Sequence, residues 1–428
     1  MGLSALAGSM TRRLLVLSLI VLATAGFLQA AAPSAPAAAR LDLPTFVRAG
    51  PALALPDASV VDNGGGEPTI LVDHATGVIL VGDSLGVHRL DGSSWTDVTP
   101  TFIPGTISTP VVSGGISDGW ALAQDAAGRI YASTTDGPFV NVASTTDDGA
   151  TWSAIVGLIV KADGLSDRPW LATNGAGKVA VIDNAVLDEE CAYSTDSGTT
   201  WLSRTAGNGG TPNAGSASFD SHGALYFAIA GQMQRWPTPC SLTMQTRSIP
   251  AQGAQILTPM AVDSSDRLYV AQPTTSNGAI QVIGYPSWTG TAKTLTVSPA
   301  TLKSNTFAAI AVADDHLAIA WYGSTSSGNP SQSSFSGTWN VYVAQVRGFW
   351  NATPNVTVTQ VTTTGNHAGW FCMDGTSCGV SNGQNDPRDM LDYQGVAFDA
   401  AGNVHVSYGS DDLTDNNPQV RYAMVPAS

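Results

Sequence analysis

The feature that most constrains the fold is a strand–turn–strand pattern that recurs seven times along the chain. Each copy has an apolar strand, then Asp or a substitute, a short turn that often contains Gly, and a second apolar strand. Internal periodicity of this kind is typical of repeat architectures. The copies are "ILVDHATGVILVG" (70–82), "ALAQDAAGRIYAS" (121–133), "WLATNGAGKVAVI" (170–182), "SFDSHGALYFAIA" (218–230), "MAVDSSDRLYVAQ" (260–272), "IAVADDHLAIAWY" (310–322) and "VAFDAAGNVHVSY" (396–408).

The spacing of the copies predicts an all-β chain that forms a single β-propeller of seven four-stranded blades. Successive copies lie 43 to 52 residues apart, except for a last step of 86 residues that contains a Ser-rich insertion (323–337) and a cysteine loop (372–378). Four short strands need about 40 to 50 residues, which is the blade period of a propeller. A β-sandwich, or a ring of six or eight blades, is the alternative, but seven copies at one period are difficult to place in two sheets.

The ends of the chain predict how the ring closes. The last copy is followed by one more strand, "QVRYAMV" (419–425), and lacks a fourth. The segment "PALALPDASVV" (51–61) can supply it, which removes an open sheet edge. Within each blade, the apolar and small-residue first strand is expected to be packed on both faces.

The first residues follow a different pattern from the repeats. Arg12 and Arg13 precede an apolar run (14–28) and then small residues, as in a secretory signal peptide cut near Ala30 to Ala32. We expect a signal peptide (1–32), a linker (33–50) and a propeller (51–428), with the mature chain secreted or extracytoplasmic. The alternative is an uncleaved membrane anchor, although the run is shorter than the ~20 residues of a spanning helix.

The charge balance excludes some partners. Only 12% of residues are charged and the net charge is −15. Nucleic acid and anionic membranes are bound by basic patches, so neither is expected as a partner, and membrane contact would come only through an uncleaved anchor. The expected partners are glycans or an extracellular surface protein.

Four cysteines fit an exported chain with two disulfides, for which the sequence alone permits three pairings. Cys372 and Cys378 would close a tight loop, which leaves Cys191 with Cys240. No CxxC-like pair suggests zinc, and the six histidines are scattered singly. We therefore expect no cofactor, apart from a weak indication of Ca²⁺ in the acidic composition.

Two segments share the spacing Ser/Thr-x-Asp-x-Gly-x-Thr-Trp: "TTDDGATW" (145–152) and "STDSGTTW" (194–201), with a weaker copy in "RLDGSSW" (89–95). They resemble the Asp-box of the sialidase-like (BNR-repeat) β-propellers. The segments "DRPWLAT" (167–173) and "LDYQGVAFDAAGNVHVSY" (391–408) resemble stretches of secreted members. As an architecture, the resemblance covers most of residues 60–428.

The boxes are interpreted as structural hairpin locks between third and fourth strands. An Asp accepts hydrogen bonds from turn amides, a Gly permits positive φ, and a Trp covers the blade edge. The residues in these roles are Asp147, Gly149 and Trp152 in the first box and Asp196, Gly198 and Trp201 in the second.

A site is expected on the opposite face, where the loops entering the inner strands converge on the axis. Around the axis the sequence places Glu67, Asp118, Asp167, Arg168, Asn213, Asn305, Arg388, Asp392 and Tyr393. Further out it places Asp83, Asp136, Asp183, Asp411 and Asp412.

The resemblance implies a test for catalysis on this face. The family's enzymes use three arginines on the sialic acid carboxylate, a Tyr nucleophile activated by Glu, and an Asp acid/base. Here the face offers only Arg168 and Arg388, and no first arginine motif is recognisable. Arg168, Asp392 and Tyr393 are the catalytic candidates. Tyr393 also suits a packing role, and Arg168 also suits an ion pair with Asp167.

These features predict a secreted sialidase-like propeller that serves as a glycan-binding or surface-interaction module, without exo-sialidase activity. The alternatives are a divergent glycoside hydrolase of the same superfamily and a propeller that stabilises a larger extracellular assembly. Asn351 and Asn355 lie in N-glycosylation patterns, whose use depends on the host.

Overall fold

The structure is a computed structural model that describes residues 59–101, 119–136, 139–159, 166–184, 189–205, 214–229, 231–373, 388, 390, 392–413 and 418–428. The expected signal peptide (1–32), the linker (33–50) and residues 51–58 of the expected propeller lie outside the described residues. In the described part every regular element is a β-strand, which confirms the all-β class. No helix there is long and apolar enough to cross a membrane.

The described strands form seven antiparallel sheets, the seven blades predicted by the repeats. The first strand, β1 (Ser59–Asn63), belongs to the last blade. Blades 1 to 3 each take four consecutive strands: β2 (Thr69–Val72), β3 (Ile79–Gly82), β4 (Val87–Asp91) and β5 (Ser94–Asp97); β6 (Ala121–Gln124), β7 (Ile130–Asp136), β8 (Phe139–Thr145) and β9 (Val156–Ile159); β10 (Trp170–Thr173), β11 (Val179–Asn184), β12 (Glu189–Ser194) and β13 (Leu202–Thr205).

Blades 4 to 6 follow the same order, and blade 6 carries a short fifth strand on β24. Their strands are β14 (Ala217–Phe219), β15 (Leu225–Ile229), β16 (Gln232–Trp236) and β17 (Gln245–Ser248); β18 (Met260–Val262), β19 (Leu268–Pro273), β20 (Ile280–Tyr285) and β21 (Lys293–Thr296); β22 (Ser304–Ala313), β23 (His316–Ser324), β24 (Thr338–Arg347), β25 (Asn355–Gln360) and β26 (His367–Ala368).

Blade 7 closes the ring with both ends of the described chain. It consists of β27 (Gly395–Phe398), β28 (Val404–Ser410) and β29 (Gln419–Val425), and its fourth strand is β1. Ser59 pairs with Tyr422 and Asn63 with Gln419 in antiparallel register. The N-terminal closing strand predicted from the sequence is thus present, and it extends two residues beyond the predicted segment.

The innermost strands β10 and β18 are mostly buried, as expected, but two others differ from the expectation. Strand β14 is only half-buried throughout, and β27 has one buried residue of four. The second strands β11 and β28 are buried along their whole length. The difference arises because the first strands border the propeller axis, whereas the second strands lie between the flanking blades.

The Asp of each repeat organises the turn between the first and second strands. In blade 4, Oδ1 of Asp220 accepts hydrogen bonds from the amides of His222 and Ala224 at 3.0 and 2.8 Å. The hydroxyl of Tyr226, six residues after the Asp, donates to Oδ2 at 2.9 Å. The same Asp–Tyr pair recurs as Asp125 with Tyr131 and Asp263 with Tyr269, and His405 replaces the Tyr beside Asp399.

The two box segments form hairpins between third and fourth strands. The amide and hydroxyl of Thr151 donate to Asp147 at 2.8 and 2.6 Å, and Thr145 donates at 2.6 Å. These bonds lower the pKa of Asp147 to about 2. Gly149 has φ 80°, and Trp152 Nε1 donates to the Val98 carbonyl of blade 1 at 2.6 Å. The matching positions of the second box are Asp196, Gly198 (φ 84°), Thr200 and Trp201.

The weaker third copy has a different geometry. Only Gly92 and Ser93 separate β4 from β5, and the carboxylate of Asp91 pairs with Arg89 at 2.9 Å. This segment is a tight hairpin in which the Asp side chain binds a guanidinium.

Cys191 on β12 and Cys240 after β16 form a disulfide that connects blade 3 to blade 4. Both cysteines are buried. Cys372 is also disulfide-bonded. Its predicted partner, Cys378, lies outside the described residues.

Candidate functional site

The candidate site is formed by residues that immediately precede the inner strands of blades 1, 3 and 7. Glu67 precedes β2, Asp167 and Arg168 precede β10, and Asp392 precedes β27. Because the inner strands run side by side around the axis, these distant parts of the sequence meet over it. The structure therefore brings together most of the residues that the sequence placed there.

Arg168 lies at the centre of this group. Its guanidinium forms ion pairs with Asp392 and with Asp167, and Nε lies 3.8 Å from Glu67. Arg388 pairs with the other oxygen of Asp392 at 2.7 Å. We call Glu67, Asp167, Arg168, Arg388 and Asp392 the axial ion network. It crosses three blades, so it fastens their entry loops to one another.

The network is buried. Arg168, Glu67 and Asp392 expose 8%, 4% and 1% of their surfaces. Burial alone would lower the pKa of Arg168, but the charges of Asp392, Glu67 and Asp167 outweigh it and raise the pKa above its usual value. The guanidinium is therefore a fixed cation that already has three carboxylate partners.

Two members of the network have unusual backbone conformations. Glu67 has φ 55° and Arg168 has φ 53°, both in the left-handed region. Non-glycine residues there cost about 1 to 3 kcal/mol and tend to occur at functional sites. The conformation turns both side chains towards the same point, and the ion pairs offset its cost.

Tyr393 lies beside the network and packs on Trp170 with ring centroids 4.9 Å apart. Only 7% of its surface is exposed. A Cβ at Gly119, which has φ 63°, would lie 2.5 Å from the Tyr393 hydroxyl and 3.0 Å from the Glu67 carbonyl oxygen. Glycine at this position therefore lets the tyrosine hydroxyl approach blade 1.

A cavity of about 180 Å³ lies on the axis next to the network. All seven blades contribute to its wall, through their inner strands or, in blade 5, through Leu257 and Pro259 just before β18. Half-buried positions in the wall include Thr69, Leu122, Ser216, Ala217, Ile310 and Val396, and Trp170 and Tyr393 provide aromatic surface. The wall thus combines apolar side chains with hydroxyl groups and contains no charged residue among those described.

The acidic residues predicted further from the axis each interact with their own local partners. Asp183 is buried, which raises its pKa well above the usual value; a hydrogen bond from Ser166 opposes the shift and the charge of Glu190 adds to it. Asp411 lies 2.6 Å from Nδ1 of His367, and Asp412 pairs with Arg421. These contacts place the acids in separate local networks rather than in one acidic mouth.

Several predicted face residues lie elsewhere or outside the described part. Asn305 is fully buried in β22 and accepts a hydrogen bond from Trp321 at 2.9 Å, so it is a packing residue. Asp118, Asn213 and the side chain of Asp136 lie outside the described residues. Gln394 is not among the predicted face residues; it is buried and donates to the Phe307 carbonyl at 2.7 Å. Its place next to Tyr393, at the entrance of β27, is the signal that could have identified it.

No protein-family model and no curated protein matches the sequence. Among solved structures, the chain is similar to YCF48 bound to D1 peptide (TM-score 0.47, 13% identity, covering 87% of this chain and 97% of that one). It is also similar to an ancestral GH74 enzyme (0.48, 12%, 83% and 46%). A third is the intramolecular trans-sialidase from Ruminococcus gnavus (0.42, 11%, 86% and 96%). At these identities the likeness concerns the fold alone.

Proposed function

We propose that this protein is an exported propeller that binds a neutral glycan on the face that carries the axial ion network. The observation that supports the proposal most directly is the pairing of Arg168. Its guanidinium has three carboxylate partners and is 8% exposed. It is therefore engaged within the protein and does not present an open fork for an anionic ligand.

Charge on this face favours an uncharged ligand. The axial ion network contains three carboxylates and two guanidinium groups. A sugar carboxylate placed there would meet a net negative potential. Displacing Arg168 from its partners would also leave buried carboxylates unpaired, which is costly. Hydroxyl groups and aromatic surface in the cavity wall suit a neutral sugar edge.

Export is part of the proposal. The predicted signal peptide and the Cys191–Cys240 disulfide both suit an oxidising compartment outside the cytoplasm. Sequencing the N-terminus of the protein recovered from the medium and from the membrane fraction would test it. We expect a start near residue 31 to 33, whereas an intact N-terminus would support the anchor.

A glycan array with neutral and sialylated oligosaccharides, run with and without calcium, tests the ligand class. We expect binding to neutral glycans that does not depend on calcium. Ala217→Trp places a large ring in the cavity wall and should reduce binding at least tenfold. The matched control is Leu242→Trp, at a site that is 87% exposed. Equal binding by both variants would exclude the cavity as the site.

A second function, exo-glycosidase activity, is favoured by one observation. The Tyr393 hydroxyl and the backbone carbonyl of Glu67 both lie against Gly119, so a tyrosine and an acidic residue occur in one neighbourhood, as a tyrosine nucleophile and its acidic partner would. A fluorogenic sialoside assay with wild type and Tyr393→Phe tests it. We expect no turnover by either protein. Turnover that is lost in Tyr393→Phe would support the hydrolase instead.

A further inference from the structure

Ring closure places two carboxylates and an imidazole at one point. Asp62 is on the closing strand β1, Asp83 follows β3, and His88 is on β4. One donor atom from each residue lies within 4.8 Å of the others. We call these three residues the closure cluster. Their sequence spacing matches no metal motif, and Asp62 lies on a strand that pairs with β29 of blade 7.

Each carboxylate of the closure cluster is held by one oxygen and directs the other at the imidazole. Oδ1 of Asp83 accepts hydrogen bonds from the amides of Leu85 and Gly86 at 2.8 and 3.0 Å. Oδ1 of Asp62 accepts one from the next amide at 2.6 Å. The two Oδ2 atoms lie 3.4 and 3.3 Å from Nε2 of His88. The carboxylates of Asp62 and Asp83 are thus each oriented with one oxygen free to bind a metal ion.

Hydrogen bonding does not account for this arrangement. Asp83 is fully buried and His88 is 7% exposed. In the described part of the chain, Oδ2 of Asp83 and Nε2 of His88 are buried without a hydrogen-bond partner. One imidazole nitrogen can donate a single hydrogen and cannot satisfy two carboxylates. Burying such groups without partners is costly.

A metal ion would satisfy all three donors. Zinc binds imidazole nitrogen and carboxylate oxygen at about 2.0 to 2.2 Å in tetrahedral geometry, so neighbouring donors lie about 3.3 to 3.6 Å apart. The two distances to Nε2 fall in this range.

We propose that Asp62, Asp83 and His88 bind a zinc ion that fastens the closing strand to blade 1. The ion would have three protein ligands and a fourth position for water. β1 is the only strand of its blade that comes from the other end of the described chain. An ion that fixes Asp62 to blade 1 would therefore hold β1 in place for its pairing with β29.

The test measures zinc binding to the purified exported protein after treatment with EDTA. Titration with zinc chloride should give about one bound ion per chain and raise the melting temperature. Asp62→Asn, in a partly exposed ligand, should weaken zinc binding at least tenfold. Gly65→Ala should do the same without removing a ligand, because its Cβ would lie 2.9 Å from Oδ2 of Asp83.

The matched control is His222→Ala, in an exposed His–Asp pair with Asp266 at 3.1 Å, and it should bind zinc as the wild type does. Failure of the wild type to bind zinc would overturn the proposal, and so would unchanged binding in both Asp62→Asn and Gly65→Ala. If EDTA and zinc leave the melting temperature unchanged while acidification raises it, a protonated His88 bridges the two carboxylates instead.

Discussion

Arg168 combines a left-handed backbone with burial and three ion-pair partners. Replacing one member of a buried charge network leaves the remaining charges without compensation, whereas an exposed pair contributes little. The side chain of Arg168 therefore has a structural role regardless of any ligand on this face.

We expect Arg168→Met to destabilise the fold by about 3 to 5 kcal/mol, because Glu67 and Asp392 lose a cation that they face in the interior. Arg89→Met removes a partly exposed pair with Asp91 and should cost no more than about 1 kcal/mol. Denaturant unfolding of both variants measures the difference. Equal stability of the two would show that the axial ion network contributes nothing to the fold.

The lowered pKa of Asp147 predicts that the stability of the fold depends on pH. Its pKa in the folded state is about 2, because the hydroxyl groups of Thr145 and Thr151 and the Thr151 amide bind the carboxylate. The unfolded chain has the ordinary value near 3.9. A folded pKa below the unfolded one contributes stability that is present above about pH 4 and is lost as the pH falls towards 2.

Asp147→Asn should therefore melt below the wild type at pH 7 and should lose less of its melting temperature between about pH 4 and pH 2. Thermal melts across this range check it. Asp315→Asn, in an exposed turn, is the control for the loss of one surface charge. Parallel curves for Asp147→Asn and the wild type would contradict the role assigned to the first box.

The role of the closing strand β1 can be tested directly. It pairs with β29 and covers the outer edge of blade 7. Without it, β29 would present unpaired amides and carbonyls, which favours edge-to-edge association. Trp95 of blade 1 would also lose its hydrogen bond to Ser59 and would be left with its ring contact to Tyr422.

A variant that starts at Gly64 should show a lower melting temperature and should form oligomers in light scattering, in contrast to one that starts at Pro51. The physical reason is the loss of the outer strand pairing along β29. A monomer that melts with the longer variant would mean that closure by β1 is dispensable.

Much of the fold was predictable because the sequence of one strand–turn–strand unit recurs along the chain. Seven strand–turn–strand copies, six of them at steps of 43 to 52 residues, determine seven blades, and the incomplete last repeat calls for a strand from the N-terminal side. The half-burial of β14 and β27 was not predictable from their apolar sequence, because it depends on the open axis. Small apolar residues suit both a packed interior and a narrow cavity wall.

The candidate site was predictable in position but not in chemistry. Loop entrances identified Glu67, Arg168 and Asp392, since connectivity alone brings those loops to the axis. Whether Arg168 faces a ligand or its neighbours depends on side-chain geometry across three blades, which no local pattern contains. The closure cluster was missed for a similar reason, because the contact of Asp62 on β1 with Asp83 and His88 depends on how two blades lie against each other.

For the whole molecule, stability depends on how adjacent blades are joined. Most joints are packed side chains, but the Cys191–Cys240 disulfide links blades 3 and 4 covalently, over a sequence separation of 49 residues. A cross-link stabilises mainly by restricting the unfolded chain, and the effect grows with the length of the closed loop. The predicted Cys372–Cys378 pair would close a much shorter loop.

Cys191→Ala/Cys240→Ala should therefore lower the free energy of unfolding by about 4 kcal/mol, the value expected for a loop of about 50 residues, and by more if the buried positions repack poorly. Cys372→Ala/Cys378→Ala should cost only about 2 kcal/mol, because the loop has about seven residues. Guanidinium unfolding of both double variants under non-reducing conditions, beside the wild type, measures the two costs. A larger loss for the Cys372/Cys378 variant would show that local ordering of its loop, and not the joint between blades 3 and 4, limits the stability of the ring.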